Sequence, residues 1–569
     1  MNRVVDSRRL TGPHLLGDRP GAALDVAIEG DVAAAADAWR REARRLLDQV
    51  GWEGEDVAAR TFEGGASFVI TAPVDGLYAA TDLNEAAWDA ATARLAGRQL
   101  PDEAEVSGQL RELIVREHDP RLRALRDAAR ARGVTFLSDD ERVSVGSGSG
   151  ARVWSRGEFP LATQVDWSSV HDVPIVLVSG SNGKTTSARL IAAIARASGL
   201  TPALTSTDGV TVDGDHLAVG DFAGPMGARL ALRDPRAGIA VLETARGGIL
   251  RRGLAVEHAD ATLLTNVASD HLDDFGVNDL ATLAAVKLVA ARVVRPAGRV
   301  VLNADDPGLA AHALGVSPAS WFALDRAAPL VSIGLTAGGD VAYVEDGAIV
   351  LAQGGRPAPL IRLDQVPVTL GGAARYNVSN ALGAVLVSAV LAGLPAGRGI
   401  TPETIAGALA TFGSPETNPG RGNLYRVGEV QVLVDYGHNP HGLTALGDTI
   451  EALGGRRRLV VLGQAGDRGD DALRELARAA WGLRPDRVVL KELATLYRGR
   501  EPGSVRAILA AELRRLGIAE DELMAVDTET EALDAALAWA GPGDLVVMLT
   551  HEDRPAIMER LEAMQGGRR

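Results

Sequence analysis

The chain has 569 residues and a formal net charge of −15; the length points to about three domains, and the acidity disfavours nucleic acid and anionic membrane surfaces as partners. With 46% hydrophobic and 23% charged residues its composition is that of a folded globular protein rather than a disordered one. It contains no cysteine, which excludes disulfides, thiolate zinc sites, iron–sulfur clusters and thiol nucleophiles, so any metal must take oxygen or imidazole ligands.

The N-terminus carries no apolar core of signal-peptide length, and no later run is apolar enough to span a bilayer, so a cytoplasmic protein is expected. Residues 1–165 mix helical periodicity, clearest in the Ala/Arg-rich run 31–50, with a strand-like segment at 67–71, and predict a small α+β domain. The run Gly146-Ser147-Gly148-Ser149-Gly150 has the composition of a turn or flexible connection, which puts the first boundary between Val145 and Val173. From Pro174 onward, β-branched runs at 175–178, 239–242, 262–265 and 300–302 alternate with helical stretches. That alternation predicts an α/β domain over residues 166–415, built on a doubly wound, mostly parallel sheet covered on both faces. Two β-rich runs flank Asp346-Gly347, a dipeptide suited to a type I′ turn, and predict a small antiparallel insertion. Strand-like runs at 430–434, 459–462, 488–490 and 545–549 predict a second, Rossmann-like α/β domain over residues 416–569.

The strongest chemical signal is an apolar strand running into Gly180-Ser181-Asn182-Gly183-Lys184-Thr185-Thr186, with a helix expected to open at Ser187. A phosphate loop (P-loop) needs this context. Glycines let backbone N–H groups approach phosphate oxygens, a helix N-terminus adds partial positive charge, Lys184 can bridge the terminal phosphates, and Thr185 offers a hydroxyl to magnesium. An ordinary glycine turn is the alternative, because the spacing is shorter than the full G-x-x-x-x-G-K-T pattern. Glu243 ends an apolar strand, where a carboxylate can hold magnesium against phosphates or simply stay solvated. Asp270-His271-Leu272-Asp273 places an imidazole and two carboxylates after a strand, either as metal or phosphate chemistry or as a structural hydrogen-bonded pair. Lys287 sits in an apolar helical stretch, where a buried lysine needs a reason and a snorkelling one does not.

Six segments occur in one order: Gly180 to Thr186, Asn266 with Asp270-His271-Leu272-Asp273, Asn303-Ala304-Asp305-Asp306-Pro307, Tyr376-Asn377-Val378-Ser379-Asn380-Ala381, Pro419-Gly420-Arg421, and Asp435-Tyr436-Gly437-His438-Asn439-Pro440. In this the chain resembles the Mur ligase family. The resemblance implies ATP and two magnesium ions, with Glu243 and His271 as metal ligands and Lys287 matching the family's carbamylated lysine. It further implies that Asn303 lies on the adenine side, that Arg421 reaches the γ-phosphate and that Asp435 contacts the ribose. Two positions depart from the pattern, Tyr376 standing where many members have His and Gly437 where Ala is commoner. Within the family the chain is most similar to the Mur-like half of cyanophycin synthetases, through Leu242-Glu243-Thr244-Ala245-Arg246-Gly247-Gly248-Ile249-Leu250-Arg251, Thr207-Asp208-Gly209 and Arg498-Gly499-Arg500-Glu501. The segment 77–85 also resembles their N-terminal domain. The ATP-grasp domain that lies between these parts in such enzymes is missing here.

The expected activity is therefore a single ATP-dependent ligation, in which a carboxylate is activated as an acyl phosphate and captured by an amine. The resemblance suggests an acidic amino acid or peptide as acceptor of phosphate. Asp467, Arg468 and His438 are candidates for binding the amino-acid co-substrate, although a solvated polar turn explains the first two equally well. His14 and His118 are the only histidines before the linker and neither begins an H-x-x-x-E pair, so no N-terminal hydrolase is expected. Substrate docking or an oligomer contact is the expected N-terminal role, and a homo-oligomer is left open. The alternatives are a nucleotide-binding regulatory or assembly protein with a Mur-like fold, and a small-acid kinase.

Overall fold

The computed structural model describes every residue except Met1, Pro101, 270–273, 313–314, 317 and 567–569. His271 and its two flanking aspartates thus lie outside the described residues.

The chain begins with a four-stranded antiparallel sheet in the order Arg3–Leu10, Gly21–Ala27, Gly65–Thr71, Val57–Phe62. The helices Val32–Gln49 and Leu77–Leu95 bury Trp39, Leu46, Leu83 and Trp88 with Phe68 of the sheet in one core. Asp31 caps the first helix through Ala34 N at 2.9 Å. Trp39 stacks on Phe68 with ring centroids 4.3 Å apart. Asn84 accepts from the Trp39 indole N–H and donates to the carbonyls of Ala22 and Phe68, so its burial leaves no polar atom orphaned.

The glycine run 146–150 is not a flexible connection. Gly146, Gly148 and Gly150 are buried, and Arg152–Ser155 pairs beyond them with Arg142–Val145 in a three-stranded sheet. Close backbone approach explains the composition: a Cβ on Gly150 would lie 2.2 Å from the His171 carbonyl oxygen, and one on Gly148 2.5 Å from that of Ala237.

Seven parallel strands form the middle of an eleven-stranded sheet: Pro202–Ser206, Ile239–Glu243, Ile175–Ser179, Ala259–Leu264, Val294–Asn303, Ala319–Ala323 and Val341–Glu345. Their near-continuous apolar sequence follows from burial on both faces. Lys184–Ala197 and Arg375–Ala392 cover one face, and Pro225–Arg233, Arg246–Arg252 and Leu280–Arg292 the other. The hairpin at Asp346-Gly347 forms with both residues at positive φ, +50° and +72°. It is no separate insertion, because Val341–Glu345 pairs with Ala319–Ala323 and carries the main sheet onward into antiparallel Ala348–Gln353 and Arg356–Arg362.

The last sheet has the order Asn423–Val427, Val430–Asp435, Leu545–Leu549, Arg458–Leu462, Arg487–Lys491, Leu523–Val526, parallel except for the first pair. The strand Leu545–Leu549 inserts between two earlier ones, which opens a crevice at the carboxyl ends where open α/β sheets bind ligands.

Candidate active-site cleft

The carboxyl ends of both parallel sheets border one cleft of about 1190 Å³. Gly180 to Thr186, Glu243, Asn266, Lys287 and Asn303 line it from the larger sheet; Asp435, His438, Asp467, Arg468 and His551 line it from the smaller, with Arg421 between. Every predicted site residue within the described set borders this cavity.

The helix after the glycine turn opens at Lys184, three residues earlier than expected. Gly183, at φ +83°, turns the chain directly into the first helical turn, and Ser187 N donates to Gly183 O at 2.9 Å. Lys184, Thr185 and Thr186 therefore occupy the first turn, where backbone N–H groups lack helical partners. Close packing forces the glycines. A Cβ on Gly180 would lie 1.9 Å from Thr265 Oγ1, and one on Gly183 2.1 Å from Asn380 Oδ1. Asn266 pins the turn, its carbonyl accepting from Ser181 N and its Oδ1 from Asn182 N, both at 2.9 Å. Lys184 Nζ donates to Ser181 O at 2.9 Å and so lies folded back over the turn.

Glu243 stands opposite, since Ile239–Glu243 neighbours Ile175–Ser179 with Glu243 in register with Val178. It is 2% exposed. Thr185 Oγ1 donates to its Oε2 at 2.9 Å, while its buried Oε1 has no partner among the described residues. Burial pushes the Glu243 pKa up against the pull of the Lys184 charge. Lys287 is 3% exposed on the inner side of Leu280–Arg292 and does not snorkel to water. Asn303 Nδ2 donates to the Thr265 carbonyl at 2.9 Å, which fixes that side chain at the same sheet edge.

On the facing wall, the Arg421 guanidinium lies over the Tyr436 ring at 3.9 Å and its buried Nε has no partner among the described residues. Asp435 is held beneath by Gly437 N, 2.8 Å from Oδ1, and burial pushes its pKa up. Gly437 fits closely: a Cβ there would meet Leu443 Cδ2 at 3.0 Å, so the small residue follows from local packing. Burial also pushes the Tyr376 hydroxyl well above its ordinary pKa. The turn after Arg458–Leu462 is not merely solvated. Asp467 pairs with Arg498, and Arg500 donates to Gly466 O at 2.9 Å and to Asp470 Oδ1 at 2.8 Å. The Arg498-Gly499-Arg500 segment thereby shapes the turn that carries Asp467 and Arg468.

Two polar bridges join residues of the larger sheet's unit to residues of the smaller sheet's unit, and no sequence motif pairs their members. Asn182 and Asn439 exchange amide hydrogen bonds at 2.8 and 3.2 Å, with Asn182 Nδ2 also 3.0 Å from His441 Nδ1. Asp208 accepts from Arg189 and from Arg554, each at 2.6 Å. Burial raises the Asp208 pKa, but the charges of Arg421, Arg189 and Arg554 outweigh it and hold the carboxyl below its ordinary range. His551 was also missed; its only sequence signal is its position just beyond the apolar run that ends at Leu549. No helix among the described residues is long and apolar enough to cross a membrane.

Residues 178–388 match the Mur ligase middle domain, and residues 420–550 match the Mur ligase glutamate ligase domain. The chain belongs to the Mur ligase family. It is 38% identical over 389 residues to a cyanophycin synthetase of Synechocystis sp., an alignment covering 68% of this chain and 43% of that protein. It thus spans less than half the length of that relative. A UDP-N-acetylmuramate–L-alanine ligase of Xanthomonas campestris pv. campestris is 29% identical over 381 residues, covering 66% of this chain and 71% of that protein. In fold, the chain is similar to FolC of E. coli, solved in complex with DHPP and ADP: the TM-score is 0.50 at 20% identity, covering 68% of this chain and 89% of that one.

Proposed function

We propose that this protein is an ATP-dependent ligase that activates a substrate carboxylate as an acyl phosphate and joins it to an amine. The observation that carries this reading is Glu243, a buried carboxylate with one oxygen bound by Thr185 and the other without a partner among the described residues, beside the glycine turn that leads into Lys184. An orphaned buried carboxylate oxygen beside a threonine hydroxyl suits a hard divalent cation. Thr185 and Glu243 would hold magnesium, with Lys287 and His271 as the family resemblance implies; when bound, the ion would screen the charge of the terminal phosphates.

The remaining roles belong to the chain's own groups. The turn 180–186 acts as the phosphate loop, its N–H groups and the Lys184 ammonium neutralising the γ-phosphoryl oxygens. Arg421 approaches the same oxygens from the facing wall, and Asn303 and Asp435 hold the nucleoside. The substrate carboxylate attacks the γ-phosphorus, ADP leaves, and the acyl phosphate is attacked by the amine to give an amide and free phosphate. Asp467, Arg468 and His438 line the side from which the amine enters. An acidic amino acid or peptide is the proposed carboxylate, as the likeness to cyanophycin synthetases suggests. Residues 1–165, 166–415 and 416–569 serve as N-terminal, central ATP-binding and C-terminal domains. A kinase would have no need of the second wall.

The test is phosphate release from ATP and magnesium with a panel of acidic amino acids or peptides crossed with amines, the products identified by mass spectrometry. Release that requires both substrates, yields a condensed product and disappears in Lys184→Ala supports the ligase. A stable phosphorylated acid formed without amine would replace it with a kinase.

A further inference from the structure

Behind the cleft's C-terminal wall lies a charged cluster that the proposed chemistry does not use. Lys491, at the end of Arg487–Lys491, is 2% exposed and forms an ion pair with Glu529, which is 1% exposed. Glu529 also accepts the backbone N–H groups of His551 at 2.7 Å, Glu552 at 3.1 Å and Asp553 at 2.6 Å. It thus clamps the turn that follows Leu545–Leu549 and carries His551. The His551 ring packs against Tyr436, centroids 5.1 Å apart, and borders the cleft.

The hydrogen bonds around Lys491 Nζ fix the chemistry of that ring. Among the described residues its three hydrogen-bond neighbours are a Glu529 carboxylate oxygen, the Leu549 carbonyl and His551 Nδ1, the last at 3.2 Å. An ammonium has three donors and no acceptor, so it satisfies all three only if Nδ1 carries no proton. Glu529 Oε1 is 3.7 Å from Nδ1, beyond hydrogen-bond range, and does not compete for a proton there. The single proton of the neutral ring then sits on Nε2, and Nε2 is a buried atom with no partner among the described residues. Burial and the Lys491 charge push the His551 pKa down to about 4, which keeps the ring neutral at physiological pH. Burial lowers the Lys491 pKa against the pull of Glu529, and burial of Glu529 is outweighed in turn, the neighbouring Lys491 charge helping to hold its carboxyl below the ordinary range.

We propose that Lys491 and Glu529 are positioning residues that lock His551 as its Nε2–H tautomer, and that this N–H is a neutral donor for an anionic oxygen of a substrate bound in the cleft. A neutral donor suits a wall already carrying Arg421, Arg468 and Arg498, because it orients an anion without adding charge. The oxygen has two sources of the same chemistry, a carboxylate of the incoming amine substrate or a phosphate of the nucleotide. The choice between them rests on the ligase reading above.

The experiment is nitrogen-15 NMR of the full chain labelled at histidine, with the His551 signals assigned by their loss in His551→Gln. At pH 7 we expect a protonated Nε2 and an unprotonated Nδ1, and an Nε2–H resonance that moves on adding either MgADP or one amino acid of a panel. In steady-state assays, His551→Asn, which cannot reach the Nε2 position, raises one KM by about ten- to a hundredfold. His551→Gln, whose amide nitrogen can, restores most of it. A raised KM for the amine identifies the carboxylate, and a raised KM for ATP identifies the phosphate. A protonated Nδ1 overturns the proposal. So does an Nε2–H resonance unmoved by any ligand in a wild-type protein that still forms product. Wild type forming no product is a failure of the ligase reading instead, and the tautomer measurement is independent of it.

Discussion

Thr185 Oγ1 donates a 2.9 Å hydrogen bond to Glu243 Oε2, joining the first turn of one helix to the end of a strand 58 residues away. Among the described residues the carboxylate is left half-satisfied: its other oxygen is buried without a partner there, and burial raises its pKa. A raised folded-state pKa means that the contribution of Glu243 to stability is fully present below its unfolded pKa and is lost as pH rises through the folded value. Glu243→Gln removes that buried charge. We expect it to stabilise the ligand-free protein by about 1–2 kcal/mol at neutral pH while abolishing phosphate release. Urea unfolding with a phosphate-release assay checks both; destabilisation would show that Glu243 is a structural rather than a ligand-binding charge.

Gly183 holds φ +83° with Asn380 Oδ1 where a Cβ would stand. Gly183→Ala must adopt a left-handed backbone, costing about 1–2 kcal/mol, and push Asn380 aside. The expected result is a folded protein whose affinity for MgADP, measured by calorimetry, falls at least tenfold. Undiminished affinity would leave the turn without a role in nucleotide binding.

Asp208 bridges Arg189 of the larger sheet's covering helix and Arg554 beyond the last strand, 346 residues distant. Its loss strands two partly buried guanidinium groups, so Asp208→Ala should cost about 2 kcal/mol and loosen the two walls. Hydrogen exchange should rise at both 184–197 and 554–566 in the variant. A change confined to one of them would mean that the bridge does not couple them.

His14 is buried with Nδ1 accepting from Leu16 N and Nε2 facing the Arg19 carbonyl, each at 3.2 Å, an arrangement only the neutral ring satisfies. Burial lowers its pKa from 6.5 to about 4. The unfolded chain therefore binds the extra proton first, and stability is full above pH 6.5 and falls as pH drops towards 4. Comparing denaturation at pH 7 and pH 4.5, we expect the loss in His14→Gln to be smaller than in wild type by about 2 kcal/mol. Equal losses in both proteins would rule His14 out as the titrating group.

The sequence by itself determined the parallel strands, because burial on both faces leaves runs such as 175–178 and 545–549 with little but apolar side chains. It also determined the glycine turn and the strand-end positions of Glu243 and Asp435, since backbone conformation and sheet polarity are local properties written in residue type and order. Local composition misled at 146–150, where glycine serves close packing rather than flexibility, and at Ser187, where the left-handed Gly183 starts the helix three residues early. Only the tertiary structure decided that Asn182 meets Asn439, that Asp208 meets Arg554, and that Lys491 and Glu529 stand behind His551. These are contacts between side chains on separate sheets or on strands out of sequence order. No periodicity encodes such a pairing, because it depends on where two strand ends come to lie rather than on the pattern that made either strand.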